Sequence, residues 1–213
     1  GAAGAKVAVR QDVVCLTLES GKAWSRPLRG ATNETTFVSF LAYGSVGTTL
    51  EIGGARIAIN PSTKPGYAQL ALGAPGAKLA AGTSFADHVK LETHNGASLA
   101  ALPLLTVRLD PAAGVWDLYV FQRLVAEDIP LFAPKGARQF SLQPGPQGAM
   151  VMNLTLSDEN PLFVDANNNG IDDAFEKQKR SGALLAANAP ATDRKTLATE
   201  WKSAQSAAKV APW

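Results

Sequence analysis

The chain has 213 residues with 20 basic and 18 acidic side chains, a net charge of +2, and is 46% hydrophobic and 18% charged. That composition belongs to a folded protein with a core of its own and excludes a disordered chain. No apolar run approaches the ~18–20 residues that crossing a membrane as a helix requires. The absence of a basic stripe argues against nucleic acid as a partner.

The opening residues, Gly1-Ala2-Ala3-Gly4-Ala5, are small and unpatterned. They fit a secreted or cell-surface chain whose signal peptide has been removed, and fit a cytosolic chain equally. Runs rich in Val, Leu, Ile, Thr and Phe follow at 7–18, 36–43, 48–59, 67–72, 88–94, 103–109, 115–125, 138–143 and 149–156. Turn chemistry separates them at Gly53-Gly54, Asn60-Pro61, Lys64-Pro65-Gly66, Asn95-Gly96, Asp110-Pro111 and Pro144-Gly145-Pro146. About nine short strands punctuated in this way predict a mainly β domain, an antiparallel sandwich or barrel, over residues 1–160. Cys15 is the single cysteine, which excludes intrachain disulfides, and its strand-like setting predicts a small buried hydrophobe. Trp24, beside Ser25 and Arg26, is compatible with an exposed loop.

After residue 160 the apolar spacing approaches the helical period. One helix is predicted from Asp173 to Ala187, and a second from Thr192 or Asp193. The second runs through Leu197, Trp201, Ala204 and Ala208, one face that would dock on the sandwich. Residues 161–213 thus form a helical C-terminal appendage, too small to hold a core alone.

Between strands and helices lies Asp165-Ala166-Asn167-Asn168-Asn169-Gly170-Ile171-Asp172-Asp173-Ala174-Phe175-Glu176. Oxygen side chains stand at the first, third, fifth and ninth places, glycine at the sixth and Glu at the twelfth. A hard dication with six to eight oxygen ligands requires this spacing. Asp165, Asn167 and Asn169 would ligate calcium by side chain, Ile171 by its carbonyl, Asp173 directly or through water, and Glu176 with two oxygens. The segment resembles the calcium loops of EF-hands and dockerins, and most of all the Asp-rich loops related to thrombospondin type 3 repeats in secreted bacterial proteins. Pro161-Leu162-Phe163-Val164 reads extended, so this is a strand–loop–helix version. Three carboxylates imply weak affinity, suited to millimolar calcium outside the cell. The competing reading is an Asn-rich turn with Asp172 or Asp173 capping the helix behind it.

In the sandwich, Trp116-Asp117-Leu118-Tyr119-Val120 resembles a strand of laminin-G-like and concanavalin A-like jelly rolls, and Thr36-Phe37-Val38-Ser39-Phe40-Leu41 resembles an earlier core strand of that family. The resemblance implies a jelly-roll sandwich. Alternation sets Trp116, Leu118 and Val120 on one face and Asp117, Tyr119 and Phe121 on the other. If the second face is open, Tyr119 and Phe121 are candidate rings for stacking a sugar; a helix docked outside would bury them instead. His88, Lys90, Glu92 and His94 share one strand face, but same-face neighbours lie ~7 Å apart, so the two His would not share one ion and a solvated face is expected. No Gly-x-Ser-x-Gly, His-Glu-x-x-His or phosphate-cradling loop occurs. The resulting expectation is a secreted, non-catalytic binding or adhesion module with structural calcium, its partner a carbohydrate or cell-surface polymer. The alternatives are a glycan-active hydrolase or lyase on the same sandwich, or a purely structural cell-surface protein.

Overall fold

The computed structural model describes residues 5–10, 13–28, 34–73, 86–94, 96–131, 138–186 and 188–207. Asn95, Ala187 and Ala208, and the side chain of His88, lie outside the described residues. Among the described residues thirteen strands come first: β1 Ala5–Arg10, β2 Val13–Leu18, β3 Trp24–Pro27, β4 Thr36–Gly44, β5 Thr49–Ile52, β6 Ala55–Pro61, β7 Tyr67–Gly73, β8 Ala86–His94, β9 Ala97–Asp110, β10 Val115–Val120, β11 Arg123–Pro130, β12 Gln139–Gln143 and β13 Ala149–Ser157. Helices α1, Asp173–Lys179, and α2, Ala191–Ala207, follow.

The strands hydrogen-bond in the order β1-β2-β13-β4-β9-β8-β7-β6-β5-β12-β3, with β10 and β11 added beside β9. All pairings are antiparallel. The ribbon folds over itself at β8. Its first half pairs with β7, Lys90 opposite Tyr67, and its second half with β9, Leu91 opposite Ala100. The result is a two-layer β-sandwich of the jelly-roll kind with a helical C-terminal appendage. Inward residues of both layers form one core, in which Phe40 meets Phe140 edge-on at 5.7 Å between centroids and Trp24 meets Phe140 at 6.2 Å.

Local chemistry explains the turns. The run 48–59 breaks at Gly53 and Gly54, with φ of 53° and 98°. A two-residue hairpin loop needs both in the left-handed region to match strand twist. Gly53 is doubly constrained, because a Cβ there would come within 2.7 Å of Leu109 Cδ1. The run 115–125 breaks at Phe121, whose φ of 53° is unusual for a bulky residue.

Several expectations change. Trp24 opens the short strand β3 and packs on the core, so it does not belong to an open loop. Leu16 and Leu18 take the inward places of β2, leaving Cys15 half-buried on the outward side. Helix α1 stops at Lys179, well before Ala187, because Ser181 and Gly182 have φ of 54° and 92°. In α2 the buried face is Leu197, Ala198 and Trp201, whereas Ala204 is exposed. Lys90, Glu92 and His94 are exposed along β8, with His94 stacked on Tyr43 at 5.9 Å.

Candidate functional site

In a sandwich, the outward places of β9 and β10 ordinarily meet water. Here they are sealed: Asp117 and Tyr119 are 0% exposed and Arg108 is 2% exposed. The C-terminal segment roofs them. Tyr119 and Leu124 form a second apolar core with Ile171, Leu197, Ala198 and Trp201, edged by Leu162, Phe163 and Phe175. Phe163 meets Trp201 edge-on at 4.9 Å. Helix α2 also covers the outer edge of β11. The Gln205 side chain accepts from Leu124 N at 3.0 Å and donates to the Gln122 carbonyl at 2.9 Å, standing in for a missing strand.

Beneath this roof runs an ionic network. Asp117 accepts from Arg108 at 3.0 Å, from the Asp128 backbone N–H at 2.8 Å, and from Arg194 of α2. Arg108 also pairs with Asp110 at 2.7 Å, and Arg194 with Asp128. Burial pulls the Arg108 pKa down, but Asp117, Tyr119 and Asp110 more than offset it, so the guanidinium is held charged. Breaking one partner of such a network leaves an uncompensated buried charge and costs about 3–5 kcal/mol.

The network's free donors grip the loop at 165–176. Three consecutive carbonyls are each taken by a different side chain: Asn168 by Arg108 Nε at 2.9 Å, Asn169 by Arg194 Nε at 2.7 Å, and Gly170 by the Tyr119 hydroxyl at 2.6 Å. Gly170 has φ of 84° and lies so close that a Cβ would sit 2.5 Å from the Tyr119 oxygen and 2.8 Å from Arg108 Cδ. Glycine is therefore required at the sixth place twice over.

Inside the loop, Asp165 accepts from the backbone N–H of Asn169 at 3.0 Å and of Gly170 at 2.9 Å, and from Asn160 at 2.9 Å. Asp173 accepts from Ala166 N at 3.0 Å, and Glu176 from Leu185 N at 2.6 Å and from the Asn167 amide at 3.2 Å. The Asn169 side-chain oxygen accepts from Ile171 N, while its Nδ2 is buried without a partner. Asp165, Asp173 and Glu176 are 8%, 4% and 0% exposed. Burial pushes the Asp165 carboxyl above its ordinary range, against the pull of its hydrogen bonds and Arg108. Asp172, not Asp173, caps α1, accepting from Ala174 N and Phe175 N. Among the described residues no three His, Cys, Asp or Glu side chains form a metal-holding group by themselves; the remaining oxygens in this loop belong to Asn and to the backbone.

Tyr119 is corrected as a sugar platform. It lies wholly in the second core, with no ring face open to a ligand. Phe121 is half-buried in the turn between β10 and β11, its N–H donating to the Leu104 carbonyl. Sequence reading does not bring Arg108, Asp117, Asp128 and Arg194 together, and Asp117, a carboxylate that its place on the outer strand face would leave solvated, is wholly buried. The usable signal was a pair of opposite charges, Arg108 and Asp117, in two neighbouring strand runs that the turn at 110–114 places face to face.

Fold and site together define a jelly-roll sandwich whose C-terminal loop and helices are bolted onto its outer face. No family model matches the chain, and no curated protein is significantly similar to it. Among solved structures it is similar to one titled "Sialidase", with a TM-score of 0.46 and 11% identity, over 84% of this chain and 18% of that one. It is also similar to a tetrameric galectin from Cinachyrella sp., the ball sponge, with a TM-score of 0.34 and 14% identity over 63% of this chain and 97% of that one.

Proposed function

We propose that the chain is a non-catalytic binding or adhesion module of the cell exterior, with a carbohydrate or cell-surface polymer as its partner, in which calcium held by the loop Asp165–Glu176 locks the C-terminal segment to the sandwich. One observation carries the calcium reading. Three carboxylates, Asp165, Asp173 and Glu176, are buried within twelve residues, and the contacting cation among the described residues is Lys177, 3.4 Å from Asp173 and itself half exposed. Burying carboxylates without charge compensation is expensive. A dication supplies the missing charge.

The donor set fits that role. Side-chain oxygens of Asp165, Asn167, Asn169, Asp173 and Glu176 and the Ile171 carbonyl would hold the ion, and its contribution would be neutralisation and fixed loop geometry. Asp165 already gathers the N–H groups of Asn169 and Gly170 around itself, winding the loop. The buried Asn169 Nδ2 has no partner, so the loop's own groups do not fully satisfy this side chain. Weak single sites of this type fill at extracellular calcium levels and stay empty in the cytosol, which supports secretion.

Calorimetric titration of EDTA-stripped protein with calcium tests this reading. One site near ~0.1 mM is expected, lost in Glu176→Gln. Absence of binding at several millimolar would overturn it.

A further inference from the structure

The outer face of the second layer carries a feature that the C-terminal site does not use. Strand register aligns Ser25 of β3, Ser141 of β12, Glu51 of β5 and Arg56 of β6 in one rung across four strands. All four occupy outward places, since Phe140, Leu142, Leu50, Ile52 and Ile57 beside them take the core. The rung continues to Gly73 of β7, opposite Arg56, which adds no side chain. These residues line a groove of about 420 Å³ with Trp24, half-buried, among its walls.

The groove's polar groups are not satisfied from within. Ser141 Oγ and Arg56 Nε are buried atoms without a hydrogen-bond partner. Arg56 stands directly opposite Glu51, yet its Nε meets no acceptor there. Each buried donor left unmade is costly, and a native fold that keeps two in one groove calls for an explanation. A ligand that satisfies them must accept from Arg56 and Ser141 and donate to Glu51. An anion would meet the Glu51 carboxylate, and a cation would meet the Arg56 guanidinium. A neutral molecule bearing adjacent hydroxyls does both tasks, and the volume suits one or two sugar rings.

We propose that this groove is the saccharide-binding site, with a neutral glycan as ligand: Arg56 and Ser141 donate to its hydroxyls and Glu51 accepts from them. This rests on the reading of the sandwich as a binding module, and moves its ligand site from Tyr119 to the opposite layer.

The test is an array of immobilised neutral, sialylated and sulfated oligosaccharides, probed with the full chain with and without EDTA. The retained glycan is then titrated while amide NMR spectra are recorded. Neutral glycans should be retained, with shifts at Ser25, Glu51, Arg56 and Ser141. Arg56→Gln and Glu51→Gln should each weaken retention about tenfold or more without altering the melt, because either leaves a hydroxyl unpaired. Should a variant fail to fold, the shift map decides alone. Retention of anionic glycans only, or of none, overturns the proposal. Neutral binding with shifts elsewhere, or unchanged in both variants, also overturns it while leaving the binding-module reading intact; the calcium titration stands apart from every one of these outcomes.

Discussion

Withdrawing calcium should lower the melting temperature by about 3–6 °C, and Glu176→Gln should erase that response. With a dissociation constant of ~0.1 mM and ~1 mM free calcium, linkage adds about 1.4 kcal/mol to the folded state; at this chain length each kcal/mol moves the melt by roughly 2–4 °C. The structure says which comparison to make. Glu176 is wholly buried, and both of its oxygens receive N–H donors, from Leu185 and from Asn167. An amide in its place satisfies one donor and faces the other with its own NH2, a penalty of about 1–3 kcal/mol, partly offset by removal of a buried charge. The baseline melt of Glu176→Gln is therefore ambiguous, and the calcium increment is the quantity to read. Asn168, at the fourth place, is the control. Its φ is 53° and its amide reaches outward to the Asp158 carbonyl at 3.1 Å. Alanine there would add left-handed strain of ~1–2 kcal/mol, so Asn168→Gly is the cleaner substitution and should keep the full increment. Scanning calorimetry in EDTA and in calcium makes the measurement. A wild-type increment of zero, or one that survives in Glu176→Gln, refutes the reasoning.

Other expectations concern the seat of the loop. Asp117→Asn should cost about 3–5 kcal/mol in urea unfolding, because Arg108 and Arg194 each lose the buried one of their two carboxylate partners; a loss below ~1 kcal/mol would show the network to be weakly coupled. Gly170→Ala should destabilise by about 2 kcal/mol or more through its φ of 84° and the approach to the Tyr119 hydroxyl, and Tyr119→Phe in the same chain should recover part of it. Tyr119→Phe alone removes the bond to the Gly170 carbonyl, for about 1 kcal/mol at neutral pH. Burial, and then Asp117, push the Tyr119 phenol well above its ordinary value. The unfolded phenol ionises near ~10, so this group's share of stability is whole below that pH and is lost as pH rises toward the folded value. Alkaline unfolding followed by phenolate absorbance should accordingly be shallower in Tyr119→Phe; identical alkaline limbs would contradict the burial argument.

Strand positions were readable because Gly53-Gly54, Lys64-Pro65-Gly66 and Asp110-Pro111 mark turns by their own backbone chemistry. Strand β3 was not, since Trp24 is its one core-directed side chain and no alternation surrounds it. Period-two alternation correctly separated Trp116 and Leu118 from Asp117 and Tyr119, but a period says nothing of what lies above a face. The roof over Tyr119 comes from residues some 40–80 positions later in the chain. The early end of α1 has a similar cause. Helix propensity extends through Leu184 and Leu185, yet Leu185 is drawn away to donate its N–H to Glu176, a tertiary bond that outweighs the local preference. The loop spacing was legible because its oxygen-bearing places are local. The rung of Ser25, Glu51, Arg56 and Ser141 was not, because only strand register brings it together.

Hydrogen exchange of the full chain, with and without calcium, measures the lock itself. The account predicts that calcium slows exchange at residues 165–176 and in α2, where Arg194 and Trp201 meet the sandwich, and leaves the β4 and β9 amides of the main core unchanged. Equal exchange of the C-terminal segment in EDTA and in millimolar calcium would contradict it.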